Sequence, residues 1–484
     1  MDVPDTSPFS GLLRTIFGIS AIGIVLLAVL SFWWPLDVRG VETNVLHTLQ
    51  MIHIDRSSLY PNPEVIPFNI TQYTPLYYIL INQLFAVLPP SVQLVETARF
   101  LSLSGLLLLL YFAYRILQNV TANRGLQVIL LLCIVIFTFP WFQLIRPDVF
   151  ECAFVTGAVY FLLYNNSALK KKNVFIVALF TTLAILSKQS ALIFIPIFFS
   201  LFIFRKEWVN SLFFIAFSIF QIVFLLFLFE KSGYDMSNLF VNIIKGINNG
   251  NDFSRAMRMT YLVYSRYFLF FTTVLITFFV HILKKQKLSD QTVNLLFVNV
   301  IVFFFSLFAS LKSGSAINYF NGSIILQVLL FADLFQYIKD SHIRLAKYLI
   351  FLTGISVASQ DVIHYIPRIK FLLTKEESQK SSLSTISTFL QSNLSGKYFY
   401  TDIRELALKF PSDVAFFSMD IHRLTFRKKV FNYPEMIKSF KDGRIKFLIV
   451  NKDIQPDIFG LDIAEYYKVE REFGQFVIMS SKFQ

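Results

Sequence analysis

YTPLYYILINQLFAVL, residues 73–88, is the stretch on which the topology turns. It is apolar enough to pass for a membrane span, yet it falls short of the ~20 residues a straight span needs, opens beside a proline and is rich in tyrosine. Those features suit a helix lying at the interface. With it set aside, eleven apolar runs remain, at 12–34, 100–117, 126–144, 149–164, 174–186, 191–204, 212–229, 262–283, 293–311, 324–338 and 348–363. An odd number of crossings puts the two termini on opposite sides. The basic groups then decide which side is inside: Arg115 with Arg124, Lys170 to Lys172, Arg205 with Lys206, the lysines of 284–287, and Lys339 with Arg344 and Lys347 all fall in cytoplasmic loops. The N-terminus is thus cytoplasmic and the C-terminus exported.

Composition supports lipid as the main solvent. With 55% hydrophobic and 15% charged residues and a mean hydropathy of +0.58, 484 residues carry more apolar surface than one soluble core buries. A net charge of +13 suggests nucleic acid in a soluble protein, but these lysines and arginines punctuate apolar runs and form no phosphate-tracking groove. Cys133 and Cys152, the only cysteines, lie in or beside apolar runs, which excludes a disulfide framework and a thiolate metal site. The first run lacks a small-residue cleavage site before Asp37 and reads as a retained signal anchor.

From about Ser378 the pattern changes. The β-type runs KYFYTD, VAFFSM, KFLIVN and QFVIMSS alternate with helical stretches such as TISTFLQSNL and YPEMIKSFKDG. The expected architecture is a polytopic α-helical membrane domain over 1–365, with interfacial helices in a first outer loop at 35–96, followed by a small soluble α/β domain over 366–484.

Four polar elements fall on the outer face by this charge-derived topology: Asp37 and Glu42 in PLDVRGVETN, Arg146 and Asp148 in LIRPDVFE, Lys188 and Gln189 in LSKQSAL, and the turn KSGSAINYF with Asn318 and Tyr319. Taken singly each has an ordinary reading, as a helix cap, a snorkelling lysine or a tight turn. Their coincidence on one face points to an extracytoplasmic site. No phosphate-cradling glycine loop, metal-spaced histidine pair or nucleophile elbow occurs; His47 and His53 stand six apart in the first loop. Intramembrane acids are scarce, with Glu151 and Asp333 near span ends, and this weakens a transporter reading.

In these motifs the chain resembles the GT-C superfamily of membrane glycosyltransferases, specifically the protein O-mannosyltransferase and aminoarabinose-transferase branch. The order is an acid after the first helix, RSSLY at 56–60, YTPLYY at 73–78, the Arg-led span ARFLSLSG from Ala98, RPD at 146–148, SKQS at 187–190 and GSAINYF at 314–320. Where the family commonly has an Asp-Glu pair, Asp37 and Glu42 are separated here; spacing to the LY element favours Glu42 as the essential acid, with Asp37 second. The resemblance implies inverting transfer of a sugar from a polyprenyl-phosphate donor in the bilayer to a glycan, lipid or protein acceptor outside. It implies Glu42 as base, Asp148 orienting or assisting, Lys188, Arg146 and Gln189 at the donor phosphate, and Tyr77, Tyr78, Asn318 and Tyr319 lining the site. No cofactor or obligatory metal and no nucleic-acid partner are expected, and a bacterial inner membrane with the site facing the periplasm is the expected location. The rivals are a transporter or flippase for an amphiphilic solute, which predicts two related halves that the sequence lacks, and a non-catalytic scaffold. Five N-x-S/T sequons (Asn69, Asn119, Asn165, Asn321, Asn393) are no more than chance supplies and do not identify the source.

Overall fold

The computed structural model describes residues 8–36, 42–89, 91–139, 141–165, 171–246, 248–283, 285, 287–313, 315–335, 340–394, 396–417, 419–426, 428–453 and 458–483. Among them the helices run α1 (Pro8–Leu30), α2 (Glu42–Ile54), α3 (Pro75–Val87), α4 (Leu94–Val120), α5 (Arg124–Thr138), α6 (Asp148–Val159) and α7 (Lys171–Ser187). They continue with α8 (Phe194–Phe204), α9 (Trp208–Lys231), α10 (Phe253–Leu283), α11 (Asp290–Ser310), α12 (Asn321–Phe335) and α13 (Asp340–Asn393). The remainder is β1 (Tyr398–Thr401), α14 (Arg404–Lys409), α15 (Met419–Phe426), α16 (Tyr433–Lys441), β2 (Ile445–Asn451), α17 (Ile463–Tyr466), β3 (Tyr467–Phe473) and β4 (Phe476–Ser481).

Among the described residues seven helical segments are long and apolar enough to cross a bilayer, including Leu94–Val120, Trp208–Lys231 and Asp290–Ser310; Arg124–Thr138 and Gln189–Phe204 are apolar but shorter. α3 has only 13 residues, about 20 Å at 1.5 Å per residue, and does not reach across a ~30 Å hydrocarbon core. Pro75 at its first turn sets φ where no backbone donor is needed. Local signals place other starts: the Asn123 side chain accepts from Leu126 N at 3.0 Å to cap α5, and Ser289 caps α11 by accepting from Thr292 N at 3.1 Å.

The chain divides into two compact units that alternate along the sequence. The first comprises Met1–Trp34, Ala98–Phe224 and Asn251–Ile366. α6 packs on α7, α12 lies between α5 and α11, and α12 is buried along its whole length. Gly157 permits close approach here, since a Cβ would lie 3.0 Å from both Phe112 and Phe180. Fully buried Arg99 ends α1: its Nη1 donates to the carbonyls of Ser31, Phe32 and Trp34 at 2.9, 3.0 and 2.8 Å, groups a helix C-terminus leaves without intrahelical partners. In α10, Tyr267 leaves helical geometry, and beside it Arg266 pairs with buried Asp361 of α13 at 2.5 Å. The apolar run at 348–363 does not end at the membrane domain, because α13 continues through Pro367 to Asn393.

The second unit comprises Pro35–Thr97, Leu225–Gly250 and Pro367–Gln484. Its sheet has the order β1-β2-β4-β3, with β1 parallel to β2 and the other pairs antiparallel. Period-2 alternation divides two cores: Phe399, Phe447, Ile449 and Ile478 face the end of α13, while Tyr400, Leu448 and Val450 face Met436 and Phe440 of α16. Phe68 and Ile70, far earlier in the chain, belong to that second core. Three of the expected strands form as β1, β2 and β4. VAFFSM does not, since Val414 makes only an isolated bridge to Phe399 while Ala415 and Phe416 sink into the core. β3 escapes the apolar pattern because it is an exposed, charged edge strand.

Candidate active site

In the first unit three separated segments converge on one carboxylate. Asp148 opens α6 behind Pro147, a position where the helix dipole favours negative charge. Its Oδ2 accepts from Arg146 Nε at 2.9 Å, and its Oδ1 accepts from Lys188 Nζ at 3.0 Å and from Asn318 Nδ2 at 2.6 Å. All four residues are at least nine-tenths buried. Lys188 sits in extended backbone between α7 and the 3-10 turn Gln189–Ile193, so the chain break that the SKQS motif suggests turns its side chain inward. Its ammonium also pairs with Glu151 Oε2 at 3.0 Å and lies 5.2 Å from the centre of the Tyr319 ring. Glu151 in turn accepts from Ser190 Oγ at 2.5 Å. The Arg146 guanidinium stacks 5.1 Å from the Trp141 ring.

Glu151, Lys188, Ser190, Asn318 and Tyr319 share a small cavity with Val302 and Phe305 on its apolar side. Lys312, half-buried at the start of the turn that carries Asn318 and Tyr319, has no ion pair or side-chain hydrogen bond among the described residues. Burial pushes its ammonium down to about 8, and the neighbouring charge of Lys188 adds to the shift. Arg255 fixes this turn by donating to Ser315 O from Nε at 2.8 Å and from Nη2 at 2.7 Å. Among the described residues, then, Arg146 and Lys188 are paired with Asp148 and Glu151 while the Lys312 ammonium is not ion-paired, an arrangement suited to an anion.

Arg146, Asp148, Lys188, Asn318 and Tyr319 are thus brought together, with half-buried Gln189 adjoining them. Glu42, Tyr77 and Tyr78 belong to the second unit. Glu42 is fully buried in the first turn of α2. Tyr77 and Tyr78 are buried on α3, their rings edge to face with centroids 6.4 Å apart. Asp37, like Gly314 of the GSAINYF motif, lies outside the described residues. Sequence reasoning gave no role to Glu151, Ser190, Lys312 or Arg255. For Glu151 a signal existed, because it stands three residues after Asp148 on the same helix face.

No protein-family model matches the sequence, and no curated protein does either. Solved structures do. The aminoarabinose transferase ArnT from Cupriavidus metallidurans bound to undecaprenyl phosphate superposes with a TM-score of 0.61 at 10% identity, covering 95% of this chain and 97% of that one. Its apo state gives 0.62 at 9% identity over the same shares. The archaeal oligosaccharyltransferase AglB from Archaeoglobus fulgidus, in complex with an inhibitory peptide and a dolichol-phosphate, gives 0.55 at 12% identity over 98% of this chain and 75% of that one. At such identities the likeness is one of architecture: this polytopic helical chain with its small C-terminal sheet has the fold of the GT-C membrane glycosyltransferases.

Proposed function

We propose that this protein is a glycosyltransferase that moves a sugar from a polyprenyl-phosphate donor to an acceptor hydroxyl on the extracytoplasmic face, with inversion at the anomeric carbon. The observation that carries the reading is the buried cluster around Asp148, with a Lys312 ammonium that has no ion pair among the described residues, in a chain whose fold matches enzymes solved with polyprenyl phosphates. In this reaction the acceptor oxygen bonds to the anomeric carbon, the bond from that carbon to the phosphate oxygen breaks, and the electron pair leaves with the lipid phosphate. Glu42 is the assigned base that takes the hydroxyl proton, with Asp37 second. Cations stabilise the phosphate as its charge develops.

The ion pairs refine the roles. Asp148 has both carboxylate oxygens engaged by Arg146, Lys188 and Asn318, and it serves by holding those donors in place. Lys188, Arg146 and Gln189 are assigned to the donor phosphate; since the first two are also paired with carboxylates, Lys312 adds a charge that has no ion pair among the described residues. Asn318, Tyr319, Tyr77 and Tyr78 are assigned to the walls. The reaction as proposed needs no obligatory metal, because the departing phosphate meets fixed ammonium and guanidinium groups. The acceptor is a glycan, lipid or protein, and the location is the bacterial inner membrane with the site outside.

The test is transfer of labelled sugar from a polyprenyl-phosphate donor pool in membranes containing wild type, Glu42→Gln or Asp148→Asn at equal abundance. Expected is loss of transfer by about a hundredfold or more in Glu42→Gln with the protein still folded. Asp148→Asn leaves two buried cations short of a partner and is expected to lose both transfer and thermal stability, the latter by about 3–5 kcal/mol. Wild-type activity in both variants refutes the site. Uptake of an amphiphilic solute without transfer by wild type refutes the reaction.

A further inference from the structure

The outer loop that carries Glu42 is built into the C-terminal domain, and the joints are specific. Phe68 N donates to Ala415 O at 2.7 Å, while the Phe68 carbonyl meets His422 Nε2 at 2.9 Å, so both main-chain groups of that loop residue are engaged. Next to it the Asn69 side-chain oxygen accepts from Phe417 N at 2.9 Å. Ala415 N donates in turn to Phe399 O of β1 at 2.8 Å, and Phe399 N donates to Asp413 O at 3.0 Å. The loop is thereby tied through 413–415 to the edge of the sheet. From the other side, His47 of α2 stacks on Phe417 with centroids 4.0 Å apart and planes 14° apart, and its Nε2 meets Pro411 O at 3.1 Å. The segment 411–417 is therefore gripped both by α2 and by the chain leading to α3.

We propose that the C-terminal domain is a clamp that fixes α2, with His47 and Asn69 as positioning residues for Glu42. The inference rests on the assignment of Glu42 as base. His47 follows Glu42 by five residues, about 7.5 Å along one helix, so release of the stack tilts the carboxylate directly. The same joints leave the β1 edge closed to strand addition by an acceptor peptide, and the β3 edge is guarded by Lys468, Glu470, Arg471 and Glu472. Asn69 also stands in a sequon, and its buried side chain is committed to Phe417 rather than open to a glycan.

Hydrogen exchange of residues 42–54 and transfer kinetics are measured together on the full chain in lipid nanodiscs, for wild type, Asn69→Ala, Asn69→Asp and Phe417→Leu. Asn69→Ala removes the acceptor, Asn69→Asp keeps it, and Phe417→Leu removes the stack while keeping the backbone donor and the apolar volume. Expected are several-fold faster exchange in α2 and a several-fold lower kcat at unchanged donor KM for Asn69→Ala and Phe417→Leu, with Asn69→Asp restoring both. Exchange in α2 equal to wild type in Asn69→Ala and Phe417→Leu overturns the clamp. Should Asn69→Ala fail to accumulate, Phe417→Leu carries the same readouts. If wild type shows no transfer, the assignment of function fails, while the exchange measurement still decides whether the clamp exists.

Discussion

Lys312 is the residue whose charge most directly reports on the proposed chemistry. Arg146 and Lys188 are paired with Asp148 and Glu151, whereas Lys312 sits half-buried, without an ion pair among the described residues and within reach of the charge of Lys188. Burial first, and Lys188 second, bring its ammonium from 10.5 down to about 8. If it holds the donor phosphate, the charged form is the binding form, so the donor KM rises as pH climbs through about 8. A charge-assisted hydrogen bond of about 1.5–3 kcal/mol corresponds to a change of about tenfold or more. Stability runs the opposite way. Between about 8 and 10.5 the unfolded chain binds a proton that the folded chain has released, so folding is favoured by rising pH while donor binding weakens. Lys312→Arg, which stays charged throughout, is expected to abolish the alkaline rise in KM, and a KM profile from pH 6.5 to 9.5 for both proteins checks it. An unchanged alkaline limb in Lys312→Arg rules out this lysine as the group responsible.

At the level of elements, legibility in the sequence followed how strongly burial patterns a segment. α4, α9 and α11 stood out as long apolar runs, and β1, β2 and β4 as short ones, because each buries most of its side chains or faces lipid. β3 was invisible because five of its residues face solvent, and the bridge at Val414 was read as a strand because its apolar residues are buried for packing rather than for ladder pairing. In the cluster, the partners of Asp148 were legible as isolated polar motifs and Lys312 as the first residue of the KSGSAINYF turn, but Arg255 was not, since nothing in spacing reveals that residues 255 and 315 meet. Nor did any pattern reveal that the first loop would share a core with the tail. That joint contains two imidazoles, His47 and His422, each lowered by burial to about 4 despite a carbonyl partner that favours the charged form. Folding keeps them neutral where the unfolded chain takes up protons near 6.5. The stability they confer is therefore complete above about 6.5 and is lost as pH falls to about 4, on the order of 3 kcal/mol for each. Protection factors in 398–481, corrected for the intrinsic pH dependence of exchange, are expected to fall between pH 6.5 and 4 in wild type. The double variant His47→Gln/His422→Gln is expected to start lower and vary little; an acid limb as steep as that of wild type would assign the loss to other groups.

For the molecule as a whole, the alternation of two units along the chain means that neither is completed until late residues have been made, and orientation must be set by signals that act earlier. The basic loops are such signals, and they give an exported first loop only if α3 does not cross. The length of α3 agrees, and the joining of Phe68 and Asn69 to the same domain as β1 requires residues just before α3 to lie on the side of the tail. Cysteine accessibility resolves this. The native thiols, Cys133 and Cys152, are both buried, so single cysteines introduced at exposed positions report cleanly with a membrane-impermeant maleimide. Asn62→Cys and Ser91→Cys flank α3 and are expected to react from outside in intact cells, together with Lys397→Cys in the tail. Lys172→Cys and Lys287→Cys are expected to react only after permeabilisation. Labelling of position 62 from outside with position 91 reacting only after permeabilisation would make α3 a span, reverse every crossing after it and carry Arg146, Asp148 and Lys188 to the cytoplasmic face, where an extracytoplasmic transferase has no use for them.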